Sequence, residues 1–157
     1  MRRRIPIAVL AVVSLAVTLG LGPSAASAPV AERVPAGMHA LTWHYPLVVG
    51  GGKVTTGTKV VTSPQVIAAV RSLINALPVS APNVICPAYV MLPYSVAFSV
   101  RVASPAVTRV VFQLGGCPFA QVYQHGVKMS PTLGGPHLRS TYARIQKLIS
   151  PQGVPLG

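Results

Sequence analysis

One carboxylate side chain has to serve a chain of 157 residues: Glu32 stands against 13 lysines and arginines, and aspartate is missing altogether. Ion pairs inside such a chain can contribute almost nothing, so the fold has to rest on apolar burial and on whatever cross-link the cysteines provide. The same scarcity excludes whole classes of chemistry. Paired-acid glycoside hydrolysis, aspartic proteolysis, a carboxylate cage for calcium or magnesium, and a Ser-His-Asp triad each need Asp or Glu at the site. The chain is therefore expected to be non-catalytic and to carry no cofactor.

At the N-terminus, Arg2, Arg3 and Arg4 precede an apolar run from Ile5 to Leu21, followed by a small-residue stretch from Pro23 to Ala28. This is the layout of an export signal, assigned to residues 1–28. Cleavage after Ala28 satisfies Ala26-Ser27-Ala28 but leaves Pro29 just past the cut, whereas cleavage after Ala26 avoids that; both positions stay open. So does retention as an anchor, because the run matches the lower limit for a membrane span of about 17 residues. No cysteine near the cleavage region suggests a lipid anchor. The expected location is extracellular, with the membrane met only during export.

Without Arg2, Arg3 and Arg4, ten basic residues face one acid, a net charge of +9 for the exported part. The positive residues are scattered rather than clustered. A diffuse positive field favours association with anionic envelope polymers, lipid headgroups or acidic secreted proteins, weakening as salt rises. Cys86 and Cys117 are the only cysteines, and an even count in an exported protein predicts a disulfide between them.

Residues 29–40 lack periodicity and are expected to form a flexible lead-in before a single domain over 41–150, with 151–157 as a flexible tail. Leu41–Val49 and Val54–Val61 are rich in Val, Thr, Trp and Tyr, and the intervening Gly50-Gly51-Gly52-Lys53 predicts a hairpin. That glycine run is no phosphate-binding loop, since Val54 stands where Ser or Thr is required. Ser63-Pro64 opens a helix whose Val66, Ile67, Val70, Leu73, Ile74 and Leu77 recur at helical spacing until Pro78. A proline-bearing loop over 78–87 then delivers Cys86. Tyr94, Val96, Phe98, Val100 and Val102 alternate with smaller or polar residues, which predicts a strand with one buried face. Thr108–Leu114 returns as its hairpin partner, with Val110, Phe112 and Leu114 inward, and Phe119–Tyr123 adds a third strand. Residues 126–137 read as a loop. Leu138, Tyr142, Ile145, Leu148 and Ile149 mark a second amphipathic helix. The expected fold class is α+β: an antiparallel sheet of about four to five strands with two helices on one face and one disulfide.

Arg139, Arg144 and Lys147 lie on the outer side of that second helix and are candidate contacts for an anion. His39, His44, His125 and His137 show no metal-ligand spacing, so no metal is expected. Aromatic residues are too few, and too little interleaved with basic ones, to predict nucleic-acid binding.

The order Val60-Val61-Thr62, Asn75-Ala76-Leu77-Pro78, Cys86-Pro87, a long alternating strand, Val110-Val111-Phe112, Gly116-Cys117 and a closing Leu-rich helix resembles a group of small exported actinobacterial proteins of unknown function, over about residues 55–150. That resemblance implies export and a disulfide. Members of the group often carry Asp shortly after Cys-Pro, where this chain has Ala88-Tyr89. The Asn-Ala-Leu helix end and Cys-Pro loop are also similar to the Streptomyces subtilisin inhibitor family. That similarity implies a rigid inhibitory loop at Cys86, Pro87, Ala88 and Tyr89 facing an extracellular serine protease, although the family's second disulfide has no counterpart here. Two partner classes are thus expected: an anionic envelope polymer or secreted protein, and alternatively a subtilisin-type protease.

Overall fold

β-Branched and aromatic residues dominate the segments that pair into strands in the computed structural model, which describes residues 32–49, 52–80 and 93–151. All of these belong to one compact unit, Ala31–Gly157. β1 (Ala40–Val49) and β2 (Lys53–Val61) form an antiparallel hairpin in which Leu41 faces Val61 and Trp43 faces Lys59. Gly52 leads into β2 at φ +75, a conformation only glycine adopts at little cost. On its other edge β1 pairs with β3 (Tyr94–Ser99), and β3, β4 (Thr108–Gln113) and β5 (Phe119–Gln124) follow as a meander.

Among the described residues two helices complete the α+β arrangement. α1 (Pro64–Asn75) starts with proline in its first turn and with the Ser63 hydroxyl accepting from the Val66 N–H. α2 (Leu138–Ile149) ends with Lys147 in its last turn, where a cation suits the exposed carbonyls. Strand alternation puts Leu41, Trp43, Val96, Phe98, Val110, Phe112, Ala120 and Val122 on one side of the sheet. There they join Ile67, Val70 and Ile74 of α1 and Leu138, Tyr142, Ile145 and Ile149 of α2 in a single buried core. Both helices therefore cover the same face.

Several expectations need correction. Among the described residues the sheet has seven strands rather than four or five, because the region read as a loop contains β6 (Val127–Lys128) and β7 (Leu133–Gly134), each paired to β5. β7 is held from outside the sheet: the Gly134 N–H donates to Pro78 O at 3.0 Å and the Ser80 N–H to Thr132 O at 2.9 Å. β3 stops at Ser99, leaving Val100 and Val102 45% and 57% exposed instead of buried. The hydroxyls of Ser99 and Ser104 both donate to Arg101 O, and the Arg101 N–H donates to Ser104 Oγ. These local bonds offer the backbone a turn in place of a ladder.

Residues 32–40 are not a loose lead-in but part of the packed domain. Val34 is fully buried in the core, and its backbone exchanges two hydrogen bonds with the Asn75 side chain, at 2.9 and 3.1 Å. Arg33 donates to Asn75 O and Leu77 O, carbonyls that the end of α1 leaves without helical partners. Glu32 meets Arg71 at 3.4 Å, the one ion pair among the described residues. Cys117 lies half-buried in the turn after β4 and is not a free thiol. Cys86 falls outside the described residues, so the Cys86–Cys117 bond itself is not seen among them.

Candidate functional site

The sheet face away from the helices is polar where the other is apolar. Its side chains include Thr42 and His44 on β1, Ser95 and Ala97 on β3, Arg109 and Val111 on β4, and Gln121 and Tyr123 on β5. Register aligns one row across five strands: Thr42 opposite Ala97, Ala97 opposite Arg109, Arg109 opposite Tyr123, and Tyr123 opposite Lys128. An aromatic ring is thus flanked by two cations on neighbouring strands. Arg109 and Lys128 are exposed and Tyr123 is half-buried.

Beside this row lies a recess of about 480 Å³ lined by Ala106, Arg109, Val111, Tyr123 and Gly126. Gly126 has φ +82 and His125 φ +49, so the tight β5–β6 turn leaves no bulky side chain at the glycine end of the recess. Arg109 can offer a planar fork of donors to a carboxylate or phosphate, and Tyr123 offers a flat apolar surface with a polar tip.

His44 lies in the next row, flanked by Thr58 on β2 and Ser95 on β3. The Thr58 Oγ1–His44 Nδ1 separation is 3.3 Å. Burial lowers the His44 pKa below its ordinary value, and the positive charge of Arg109 lowers it further. A neutral imidazole therefore adjoins the cationic row near pH 7 and gains charge on acidification.

The residues singled out from sequence are distributed differently. Arg139, Arg144 and Lys147 are all exposed, on the arc of α2 opposite Leu138, Tyr142, Ile145 and Ile149. They therefore lie on the far side of the domain from the open sheet face. Arg139 Nε donates to Leu114 O at 3.1 Å, which commits part of its guanidinium to tying α2 to the end of β4. Cys86, Pro87, Ala88 and Tyr89 lie outside the described residues. Among the described residues, no group of three or more His, Cys, Asp and Glu is placed to hold a metal, and no helix is long and apolar enough to cross a membrane.

The Arg109–Tyr123–Lys128 row escapes sequence reasoning because its members are far apart in the chain. The inward phase of Val110 and Phe112 puts Arg109 outward, but the alternation alone does not say which residue stands beside it. Fold and surface together define an α+β domain whose antiparallel sheet is covered on one side by two helices and presents a cationic, aromatic-bearing face on the other. No protein-family pattern, no curated protein sequence and no solved structure matches the chain.

Proposed function

We propose that the chain is an exported, non-catalytic domain that binds an anionic extracellular polymer across the open face of its sheet. The carrying observation is the cross-strand row of Arg109, Tyr123 and Lys128 beside a recess. Arg109 and Lys128 supply charge, and Tyr123 supplies a surface on which a sugar ring can lie. The scarcity of acids supports this reading: Glu32, the only carboxylate side chain, is engaged with Arg71 and does not neutralise the row. Affinity resting on a few such contacts falls as salt displaces them.

The exported part is further proposed to carry a Cys86–Cys117 disulfide. Closing a loop of about 30 residues would stabilise the fold by roughly 3–4 kcal/mol in the chain-entropy view. Intact-mass measurement with and without reduction distinguishes bridged from free thiols.

The binding test is elution from an anionic polysaccharide matrix along a salt gradient. The paired variant Arg109→Gln, Lys128→Gln is expected to elute at clearly lower salt than Arg144→Gln, Lys147→Gln, which removes the same charge from α2. Equal elution of the two would mean that net charge alone drives retention and would reject the open face as the site.

A further inference from the structure

The two ends of the sheet are built differently. Beyond β5 lie β6 and β7, of two residues each, whereas the opposite end is β2, nine residues long where strands usually run to about five or six. β2 pairs with β1 without a bulge from Lys53 to Val61, and among the described residues nothing pairs with its outer side. The backbone N–H and C=O groups on that side form a row open to another strand.

Such edges are usually guarded by proline, a bulge or lysines. β2 has neither proline nor bulge. Of its two lysines, Lys59 is turned onto the end of α2, its Nζ donating to Ser150 Oγ at 3.4 Å. On the open sheet face, shared with Thr42 and His44 of β1, Val54 and Val60 are 42% and 50% exposed. Half of the strand also lacks backing. β3 pairs with β1 from Ala40 to His44, so that among the described residues 53–56 and their partners 46–49 project beyond it as a ribbon of two strands, an arrangement of little stability by itself.

We infer that the outer edge of β2 pairs antiparallel with the same strand of a second copy of this chain, about a two-fold axis at Gly57. Backbone groups alternate in direction along a strand, so two identical strands bond only where the numbers of opposed residues have an even sum. Among those registers, the one centred on Gly57 engages all nine residues of β2. It sets Val54 opposite the partner's Val60 and Thr56 opposite the partner's Thr58, β-branched pairs that stabilise a ladder. Lys53 meets the partner's Val61 and Lys59 the partner's Thr55, whereas centring on Thr56 would set Lys53 opposite the partner's Lys59. The exposed valines thus cover one another, and each projecting ribbon lies along the half of the partner's strand that its own sheet backs. The axis stands perpendicular to the sheets, so both open faces point the same way. Like positive charge on the two copies opposes the pairing. Salt screens that repulsion, so dimerisation strengthens with salt while retention on a polyanion weakens.

The test is sedimentation of the purified protein as concentration and salt are raised. The expected result is a monomer–dimer equilibrium that moves toward dimer with salt. Val54→Lys, Val60→Lys puts like charges across both valine pairs and is expected to weaken the dimer about tenfold. Val54→Glu, Val60→Lys turns the same pairs into ion pairs and is expected to restore it. Val100→Lys, Val102→Lys adds the same charge at exposed positions after β3 and is expected to weaken it far less. All four positions are exposed, so thermal melts are expected to show each variant folded. A monomer at every salt concentration up to about 1 mM protein would overturn the pairing and leave the edge to a strand of another protein. Equal weakening by the two lysine variants, no recovery with glutamate at position 54, or growth past the dimer would overturn it too.

Discussion

The two faces of the sheet are made by the same strands one residue out of phase, yet they follow opposite rules. Toward the helices, Leu41, Trp43, Val96, Phe98, Val110 and Phe112 are at most 1% exposed and belong to one core. Toward solvent, the intervening positions are Thr42, His44, Ser95, Arg109, Val111 and Tyr123. The helix-covered face is constrained by packing density, so any loss of volume is felt. The open face buries Ala97, Ser99 and Gln121, but positions such as Arg109 and Lys128 are exposed, which leaves those side chains free to be chosen for a ligand.

Even the packed face has polar atoms. Trp43 Nε1 and Tyr142 OH are buried without a hydrogen-bond partner. Tyr142 packs against Tyr94 at 4.8 Å and Phe112 at 5.3 Å between ring centroids. Burial raises the Tyr142 pKa well above that of a free phenol. The nearby Trp43 indole opposes this without reaching hydrogen-bond geometry, and Tyr94 adds to the rise. The phenol thus stays neutral and acts as packing material.

The sharpest contrast between the faces comes from truncation. Phe98→Ala is expected to cost about 3–5 kcal/mol in urea-induced unfolding, whereas Arg109→Ala should stay within about 0.5 kcal/mol while losing retention on the polyanion matrix. A comparable loss of stability from both would show that the open face is not free of packing demands. Gly57 is an intermediate case on the helix side of β2. A Cβ there would lie 2.4 Å from the ring of its cross-strand neighbour Tyr45, which stacks on Trp43 at 4.5 Å. Overpacking that stack with Gly57→Ala should cost about 1–3 kcal/mol, and a thermal melt matching the parent's would show that the ring can move aside.

Smaller again is Asn75→Ala, which removes both bonds to Val34 and should cost about 1–2 kcal/mol; protease resistance of the chain around residues 32–36 should fall with it. Unchanged resistance would mean that Val34 holds the segment by burial alone. The smallest effect belongs to His44. Its folded pKa lies below the ordinary 6.5, so the unfolded chain takes up the proton first as pH falls. Its contribution to stability is therefore complete above about pH 6.5 and is lost as pH drops through the folded pKa. Arg109→Gln should raise that pKa in an NMR titration without restoring it fully, because burial is the larger cause. No change would place the guanidinium too far away to matter.

The elements that declared themselves in sequence are those with a local period. The β1–β2 hairpin, α1 from Pro64 to its stop before Pro78, the β3–β4–β5 meander and α2 all carry a repeat of 2 or 3.6 residues within one segment. Val34 and Leu133 do not. Each is an isolated apolar residue in a stretch rich in proline or glycine, and each is buried because a distant segment receives it: the Asn75 side chain bonds the Val34 backbone, and the backbone of Pro78 and Ser80 bonds the strand that carries Leu133. For the site, Arg139, Arg144 and Lys147 were legible as the solvent side of a helix, but the bond from Arg139 to Leu114 was not.

Sequence alone determined the chemical character of this protein: nearly free of acids, strongly basic, α+β, with a core written in strand and helix periods. Those properties depend on neighbours a few residues apart, which the chain order states directly. Tertiary structure decided which cations stand together. Arg109, Tyr123 and Lys128 become neighbours only through the register of three strands. Register is set by long-range pairing and core packing together, and neither is written in any single stretch of the chain.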